Sequence, residues 1–255
     1  MIDVHCHLDK IKDMPLEKVI KKCEEEGIRV ITSGASLNEK EQTLKLSENY
    51  KIVEATLGLH PMEAEKVEEA RLEEYLEFIG KNKERIVGIG EIGMDKWVED
   101  RRKEEEVFRE FIELGIKLKL PLVIHCRGRM EEAIEVLAGY NYERVLFHCF
   151  SGNATQLTKI LENGWFVSIA TNLEKSKSAK NAAKKVPLER FTLETDSPWL
   201  DPFSNELKNK PWNIKYTAQR MAELRGLEKE EILKMAERNA EKLFKLKPEN
   251  KKLQG

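Results

Sequence analysis

Eight short apolar segments, each followed by an amphipathic stretch of helix length, recur along the chain. The apolar segments are rich in Ile and Val, as expected for strands that are buried on both faces. Alternation of strands and helices with short connections is typical of a (β/α)8 barrel, so we predict an α/β fold of the TIM-barrel type. The predicted strands are residues 2–7, 28–33, 52–58, 86–91, 121–126, 144–149, 164–169 and 190–195.

The intervening segments carry the spacing of amphipathic helices. In the stretch 102–119, apolar side chains recur every three or four positions and form one stripe. Similar stripes occupy 15–26, 39–49, 62–80, 129–138, 153–163 and 174–185, and the tail 213–246 adds helical periodicity with a break at Gly226. The sequence shows no internal repeat and no linker. We therefore predict one domain, residues 1–255, made of a barrel with extra C-terminal helices.

Composition and charge exclude several classes of protein. The formal net charge is −2, which is a poor match to the strongly basic domains that bind nucleic acid nonspecifically. No apolar run reaches the roughly 18 residues of a membrane span, and a cleaved leader would remove the histidine at position 5. The four cysteines do not suggest a disulfide scaffold in a chain of this length. We expect a monomeric cytoplasmic protein with reduced thiols and no membrane contact.

All five histidines lie in short motifs at or just beyond predicted strand ends. They occur in VHCH, GLHP, VIHCR and LFHCF, and two acidic residues occupy similar positions in GIGEIGMD and TLETDSP. Active sites of such barrels lie at the carboxyl ends of the strands, where these side chains would converge. The pattern predicts a metal centre built from His5, His7, Glu91, His125, His148 and Asp196, with His60 slightly further out in the loop after the third strand.

His5 and His7 give the strongest local signal. Residues two apart in a strand face the same side, so both imidazoles can point inward and chelate one cation. The alternative is a pair of structural histidines, which are costly to bury without partners. The same alternation turns Cys6, Cys126 and Cys149 outward, which favours packing roles for these thiols over metal binding.

The number of candidate ligands favours two cations. Four histidines, one Glu and one Asp exceed the roughly four ligands of a single zinc, and they suit two cations about 3.5–4 Å apart. Glu91 is the candidate for the carboxylate that bridges the two sites. An imidazole-rich set favours Zn, Mn, Fe or Ni, and Mg is used where affinity is weak.

Two carboxylates have alternative interpretations. Asp196 is placed to orient a water activated by the cations and to accept its proton, but an Asp before Ser-Pro is also a common helix cap. Glu194 shares the inward direction of Asp196. It either accepts a hydrogen bond from a ligand imidazole or fills a layer of the barrel interior.

The motifs together resemble the TatD family of metal-dependent deoxyribonucleases, within the amidohydrolase-like TIM barrels. The resemblance covers most of the chain and keeps the order of the motifs. The matching stretches are IDVHCHLD at 2–9, GLHP at 58–61, GEIGMD at 90–95, PLVIHCR at 121–127, FHCFSG at 147–152 and ETDSP at 194–198.

The resemblance implies two metal sites and a role for each motif. His5, His7 and Asp196 would serve one site, His125 and His148 the other, and Glu91 both. It also implies that His60 helps to bind or activate the scissile phosphate. From the residues alone, an ordinary loop histidine is the alternative interpretation of His60.

The resemblance further implies a hydrolase that cleaves phosphodiester bonds of DNA, with 3′–5′ exonuclease action on single strands as one form of that activity. The candidate substrate contacts are Arg127 and the indole of Trp97, on which a base could stack. Basic residues beside the predicted strand ends form either a positive mouth or an ordinary solvated surface, and two more tryptophans lie in the same loops. These residues are Lys96, Arg101, Arg102, Arg129, Lys175, Lys177, Lys208, Lys210, Trp199 and Trp212.

Two other functions fit parts of the same pattern. A metal-dependent ester or amide hydrolase, such as a D-aminoacyl-tRNA deacylase or a lactonase, would use the same activated water on a carbonyl carbon. A nonenzymatic binding protein on a degenerate barrel is the second alternative, and the complete ligand set speaks against it.

Overall fold

The computed structural model describes residues 1–247, in which eight parallel strands alternate with helices. The strands are hydrogen-bonded in chain order from the first to the eighth. This confirms the predicted (β/α)8 barrel, and each predicted strand is present. The strands are β1 (Ile2–Cys6), β2 (Arg29–Gly34), β3 (Val53–Leu57), β4 (Gly88–Asp95), β5 (Leu122–Arg127), β6 (Val145–Phe147), β7 (Phe166–Ile169) and β8 (Phe191–Leu193).

The barrel is brought to closure between β8 and β1 by bonds at its carboxyl end. The N–H of Asp196 donates to the carbonyl of His5 at 2.9 Å, and the N–H of His7 donates to the carbonyl of Ser197 at 2.8 Å. The buried carboxylate of Asp3 also accepts a hydrogen bond from the N–H of Thr195 at 2.9 Å. These contacts hold the first and last candidate ligands side by side.

Strand β4 extends four residues beyond its predicted end at 91. Its last residues pair with β5, with Gly93 opposite His125 and Asp95 opposite Arg127. The register shifts between Ile89 and Ile92, so the apolar run alone does not reveal where the strand ends. The extension carries Asp95 into the same neighbourhood as the candidate ligands.

The helices form the outer layer of the barrel. They are α1 (Leu16–Glu25), α2 (Lys40–Asn49), α3 (Pro61–Ala64), α4 (Glu69–Lys81), α5 (Arg101–Leu118), α6 (Met130–Ala138), α7 (Ala154–Glu162), α8 (Lys177–Lys185), α9 (Ile214–Arg225) and α10 (Lys229–Phe244). The break predicted at Gly226 is confirmed, since this glycine ends α9 with a left-handed φ of 64°. Across the described part of the chain, no helix combines the length and the apolar character needed to cross a bilayer.

The single helix predicted over 62–80 is wrong in one respect, because the structure has two helices there. Nδ1 of His60 accepts a hydrogen bond from the N–H of Met62, and Pro61 starts the short helix α3. The backbone is extended again at Glu68, which precedes α4. The histidine thus caps a helix at the barrel mouth.

The barrel interior is filled at its amino end. Apolar side chains from the starts of several strands pack against the C-terminal helix α10, which supplies Leu243 and Phe244. The strand residues in this cluster are Ile2, Val4, Ile31, Val123, Leu146 and Phe166. This apolar cluster closes the amino end of the barrel interior, and the candidate ligands lie at the opposite end.

Candidate metal centre

The predicted ligands converge at the carboxyl end of the barrel. They surround a cavity of ≈ 680 Å³ whose wall includes five of the six predicted ligands, and the sixth, His5, is buried with 1% exposure. His7 and His148 follow β1 and β6 by one residue each, and Asp196 follows β8 by three. The candidate ligands in the wall are His7, Glu91, His125, His148 and Asp196, and the predicted phosphate contact His60 lies in the wall beside them.

The carboxylate of Glu91 faces two pairs of histidines with its two oxygens. Oε2 lies 3.7 Å from Nε2 of His5 and 3.6 Å from Nε2 of His7. Oε1 lies 2.6 Å from Nδ1 of His125 and 2.9 Å from Nε2 of His148. The side chain is buried, so one carboxylate joins both halves of the cluster.

The first half is completed by Asp196. Its Oδ1 lies 3.6 Å from Nε2 of His5 and 3.7 Å from Nε2 of His7, and these two nitrogens are 3.1 Å apart. Ligand atoms bound to one cation at about 2.0–2.2 Å lie about 3.0–3.6 Å from one another. The spacing and the chemistry of these donors therefore fit a single divalent cation.

The second half contains His125 and His148, whose Nδ1 and Nε2 atoms are 3.3 Å apart. His60 lies beside it, with Nε2 3.8 Å from Oε1 of Glu91 and its ring centroid 4.4 Å from that of His125. Nδ1 of His60 accepts a backbone hydrogen bond, so in the neutral ring Nε2 carries the hydrogen and points into the cavity as a donor.

Two further carboxylates contact the imidazoles of the second half, each at the ring nitrogen that does not face Glu91. Oδ2 of Asp95 lies 2.9 Å from Nε2 of His125, and Oε1 of Glu194 lies 3.3 Å from Nδ1 of His148. The sequence left two interpretations of Glu194 open, and its contact with His148 matches the one in which it accepts a hydrogen bond from a ligand imidazole. Asp95 was not identified from the sequence, although it lies four residues after Glu91 with the same alternation within the quoted motif.

The electrostatics of the cluster also favour cations. Burial raises the pKa of Asp196 to about 8, and burial lowers the pKa of His60 to about 4. Burial alone would raise the pKa of Glu91 as well, but His148 and the hydrogen bond from His125 hold it well below its usual value. Within residues 1–247, neither Glu91 nor Asp196 forms an ion pair with Lys or Arg. Glu91 is buried and Asp196 is half-buried, so leaving these carboxylates without a cationic partner is costly, and a bound metal would offset that cost.

The cysteines only partly match the prediction of interior packing. Cys6 and Cys126 are buried in the main apolar cluster, although Cys126 also reaches the cavity wall. Cys149 differs, because it is half-buried and its backbone is left-handed with φ 42°. Its N–H donates to Oγ of Ser168 at 2.9 Å, which turns the chain after β6 and exposes the thiol to the cavity.

The predicted substrate contacts occupy different places at the rim. Arg127 lies in the cavity wall with its side chain 62% exposed. Trp97 is 62% exposed, with Nζ of Lys96 4.7 Å from its ring, but it does not belong to the cavity wall. Trp199 does, and its ring stands edge-on to that of His7 with centroids 5.0 Å apart.

Several residues of the predicted positive mouth are committed to internal contacts. Arg129 is buried between Glu104 and the neighbouring carboxylate of Glu132. Nζ of Lys210 lies 2.8 Å from the carboxylate of Asp13, and the ammonium of Lys175 donates to loop carbonyls. Trp212 is partly buried in the core under Nζ of Lys22 rather than at the mouth. The mouth is therefore less positive than its composition indicates.

The chain matches a known protein family and several named relatives. Residues 2–245 match the family model described as TatD related DNase. A metal-dependent hydrolase of Methanocaldococcus jannaschii, named MJ1582, is 35% identical over 245 residues, covering 96% of each chain. The human deoxyribonuclease TATDN3 is 31% identical over 259 residues, covering 96% of this chain and 94% of its own length.

Solved structures of TatD proteins share the fold of this chain. YJJV, a TatD homologue from Escherichia coli K12, superposes with a TM-score of 0.89 at 25% identity, covering 97% of this chain and 98% of its own. A TatD family hydrolase from Entamoeba histolytica shares the fold with a TM-score of 0.85 at 23% identity, covering 95% and 97%. The chain therefore belongs to the TatD related DNase family and is a metal-dependent hydrolase.

Proposed function

We propose that this hydrolase cleaves phosphodiester bonds of DNA with two divalent cations. The observation that carries the proposal is the position of Glu91, whose two carboxylate oxygens face two separate sets of nitrogen ligands. His5, His7 and Asp196 would hold one cation, and His125 and His148 the other. Divalent cations in such a site polarise a phosphoryl group and lower the pKa of water.

The protein's own groups supply the remaining chemistry. Asp196 points its Oδ1 toward the first donor set, where it can orient the attacking water and accept its proton. Nε2–H of His60 can donate a hydrogen bond to a nonbridging oxygen of the scissile phosphate, where negative charge develops. Since burial lowers its pKa to about 4, this histidine stays neutral at neutral pH and keeps the donor in place.

DNA as substrate is supported by the deoxyribonuclease name of the human relative and by the polar rim of the cavity. Arg127 in the wall is positioned to bind a phosphate, and the exposed rings of Trp97 and Trp199 offer faces for bases. Stacking on aromatic rings needs bases that are not paired within a duplex. We therefore propose single strands as the preferred substrate. Degradation from the 3′ end is the form of this activity that the resemblance to the TatD family implies.

The test is digestion of oligonucleotides by protein reconstituted separately with Zn²⁺, Mn²⁺ and Mg²⁺. Single and double strands carry a label at the 5′ or the 3′ end, and Glu91→Gln is the matched control. We expect a ladder of 5′-labelled products from single strands that requires metal and is absent with the variant. Parallel reactions contain a D-aminoacyl-tRNA and a lactone. Turnover of either of these, with no cleavage of any strand under any metal, would refute the proposal.

A further inference from the structure

We propose that a groove between α7 and α8 binds the backbone of the DNA strand next to the scissile phosphate. This inference rests on the proposed function and names a second binding region for the same substrate. The groove has a volume of ≈ 360 Å³. It adjoins the metal centre, because Ser151 lines both cavities and lies three residues after His148.

The groove carries positive charge without acidic neighbours in its wall. Lys177 and Lys185 line it, together with Asn181 halfway between them on the same face of α8. Both lysines are exposed, and within residues 1–247 neither forms an ion pair with a carboxylate. Helix α8 contains four lysines and no acidic residue, and only Lys180 is paired, with Glu174. Two ammonium groups are therefore free to neutralise phosphates.

The shape and the other groups of the groove suit a nucleotide strand better than a small free anion. Phe150 and Leu157 form the apolar floor of the groove but are only 3% and 4% exposed, so a strand would contact mainly the lysines, Asn181 and the loop of residues 151–154. The hydroxyl of Ser178 donates to the carbonyl of Gly152, which ties the start of α8 to the loop before α7. This hydrogen bond joins the α8 side of the groove to the side formed by the loop before α7.

The position of the groove predicts a dependence on strand length. A strand whose scissile phosphate lies at Glu91 would continue past Ser151 into the groove, whereas a small phosphodiester would not reach it. The lysines should therefore contribute to the binding of long substrates alone. Each single-strand phosphate neutralised by a lysine contributes about 0.7 to the slope of log affinity against log salt.

The test compares Lys177→Gln/Lys185→Gln with the control Lys184→Gln/Lys234→Gln, which removes the same charge from exposed positions outside the groove. Binding of a fluorescent ten-nucleotide DNA strand is measured by anisotropy across salt concentrations without added metal. Hydrolysis is measured as the ratio of kcat/KM for that strand to kcat/KM for bis-(p-nitrophenyl) phosphate. Circular dichroism verifies the fold of each variant.

We expect the groove variant to lower the kcat/KM ratio about tenfold and to reduce the salt slope by about 1.4, the value for two lost contacts. The control variant should have the same kcat/KM ratio and the same salt slope as the unmodified protein. If the groove variant, the control and the unmodified protein have the same kcat/KM ratio and the same salt slope, the groove does not bind DNA, and the proposed function is unaffected. If the unmodified protein neither binds nor cleaves the strand, the proposed function itself fails.

Discussion

Oδ2 of Asp95 lies 2.9 Å from Nε2 of His125, on the side of the ring opposite the Nδ1 that faces Glu91. A carboxylate in this position keeps the hydrogen on Nε2 and leaves the lone pair of Nδ1 directed at the metal site. The N–H of Asp95 in turn donates to Oε1 of Glu104 at 2.8 Å, so the acid is itself held in place.

This contact predicts weaker metal binding when the acid is removed. Asp95→Ala should lower metal affinity about 10–100-fold, the usual effect of losing the partner of a ligand imidazole. Asp95→Asn should restore part of the loss, because its amide oxygen still accepts the hydrogen bond. Competition with a chromogenic chelator measures the affinity. An alanine variant that binds metal as tightly as the unmodified protein would show that Asp95 has no part in orienting His125.

Glu91 should affect both cations, whereas a histidine of the second set should affect only one. We expect Glu91→Gln to lower the metal content at both sites, because the amide removes the negative charge that faces both histidine pairs. His148→Ala should leave the site of His5 and His7 filled. Metal content per chain, measured by mass spectrometry after dialysis, distinguishes the two. Identical metal content in the two variants would contradict a bridging role for Glu91.

An ion pair between Arg129 and Glu104 lies next to Asp95 and should contribute to the stability of the fold. Glu104 is 0% exposed and contacts the buried guanidinium of Arg129. Arg129→Ala leaves this carboxylate without its partner and should lower the free energy of unfolding by about 3–5 kcal/mol. Removing both charges in Glu104→Gln/Arg129→Met should cost clearly less. Urea unfolding followed by circular dichroism measures both. A double variant less stable than the single variant would exclude this explanation.

The candidate ligands could be predicted from the sequence because their placement follows from topology alone. Parallel strands end at one rim, so His125 and His148 at the ends of consecutive strands must lie close together. Asp95 shares the alternation of Glu91, but its pairing with His125 depends on a register shift inside β4 that the sequence does not show. The sequence also gives no sign that Asp13 neutralises Lys210, a residue 197 positions away. Long-range pairing of side chains is decided by packing, which local patterns do not record.

Asp196 is the residue that we expect to accept the proton of the attacking water. Asp196 has a left-handed backbone with φ 55°, a conformation that is sparsely populated for residues other than Gly and that often persists at functional sites. Its backbone is held by the hydrogen bond from its own N–H to the carbonyl of His5, so Asp196→Asn should preserve this conformation. We expect turnover at saturating metal to fall about 10²–10⁴-fold, since the amide accepts no proton from water. Steady-state cleavage of a labelled single strand measures turnover, and the unfolding midpoint and metal content serve as controls. Turnover near that of the unmodified protein would assign proton acceptance to another group.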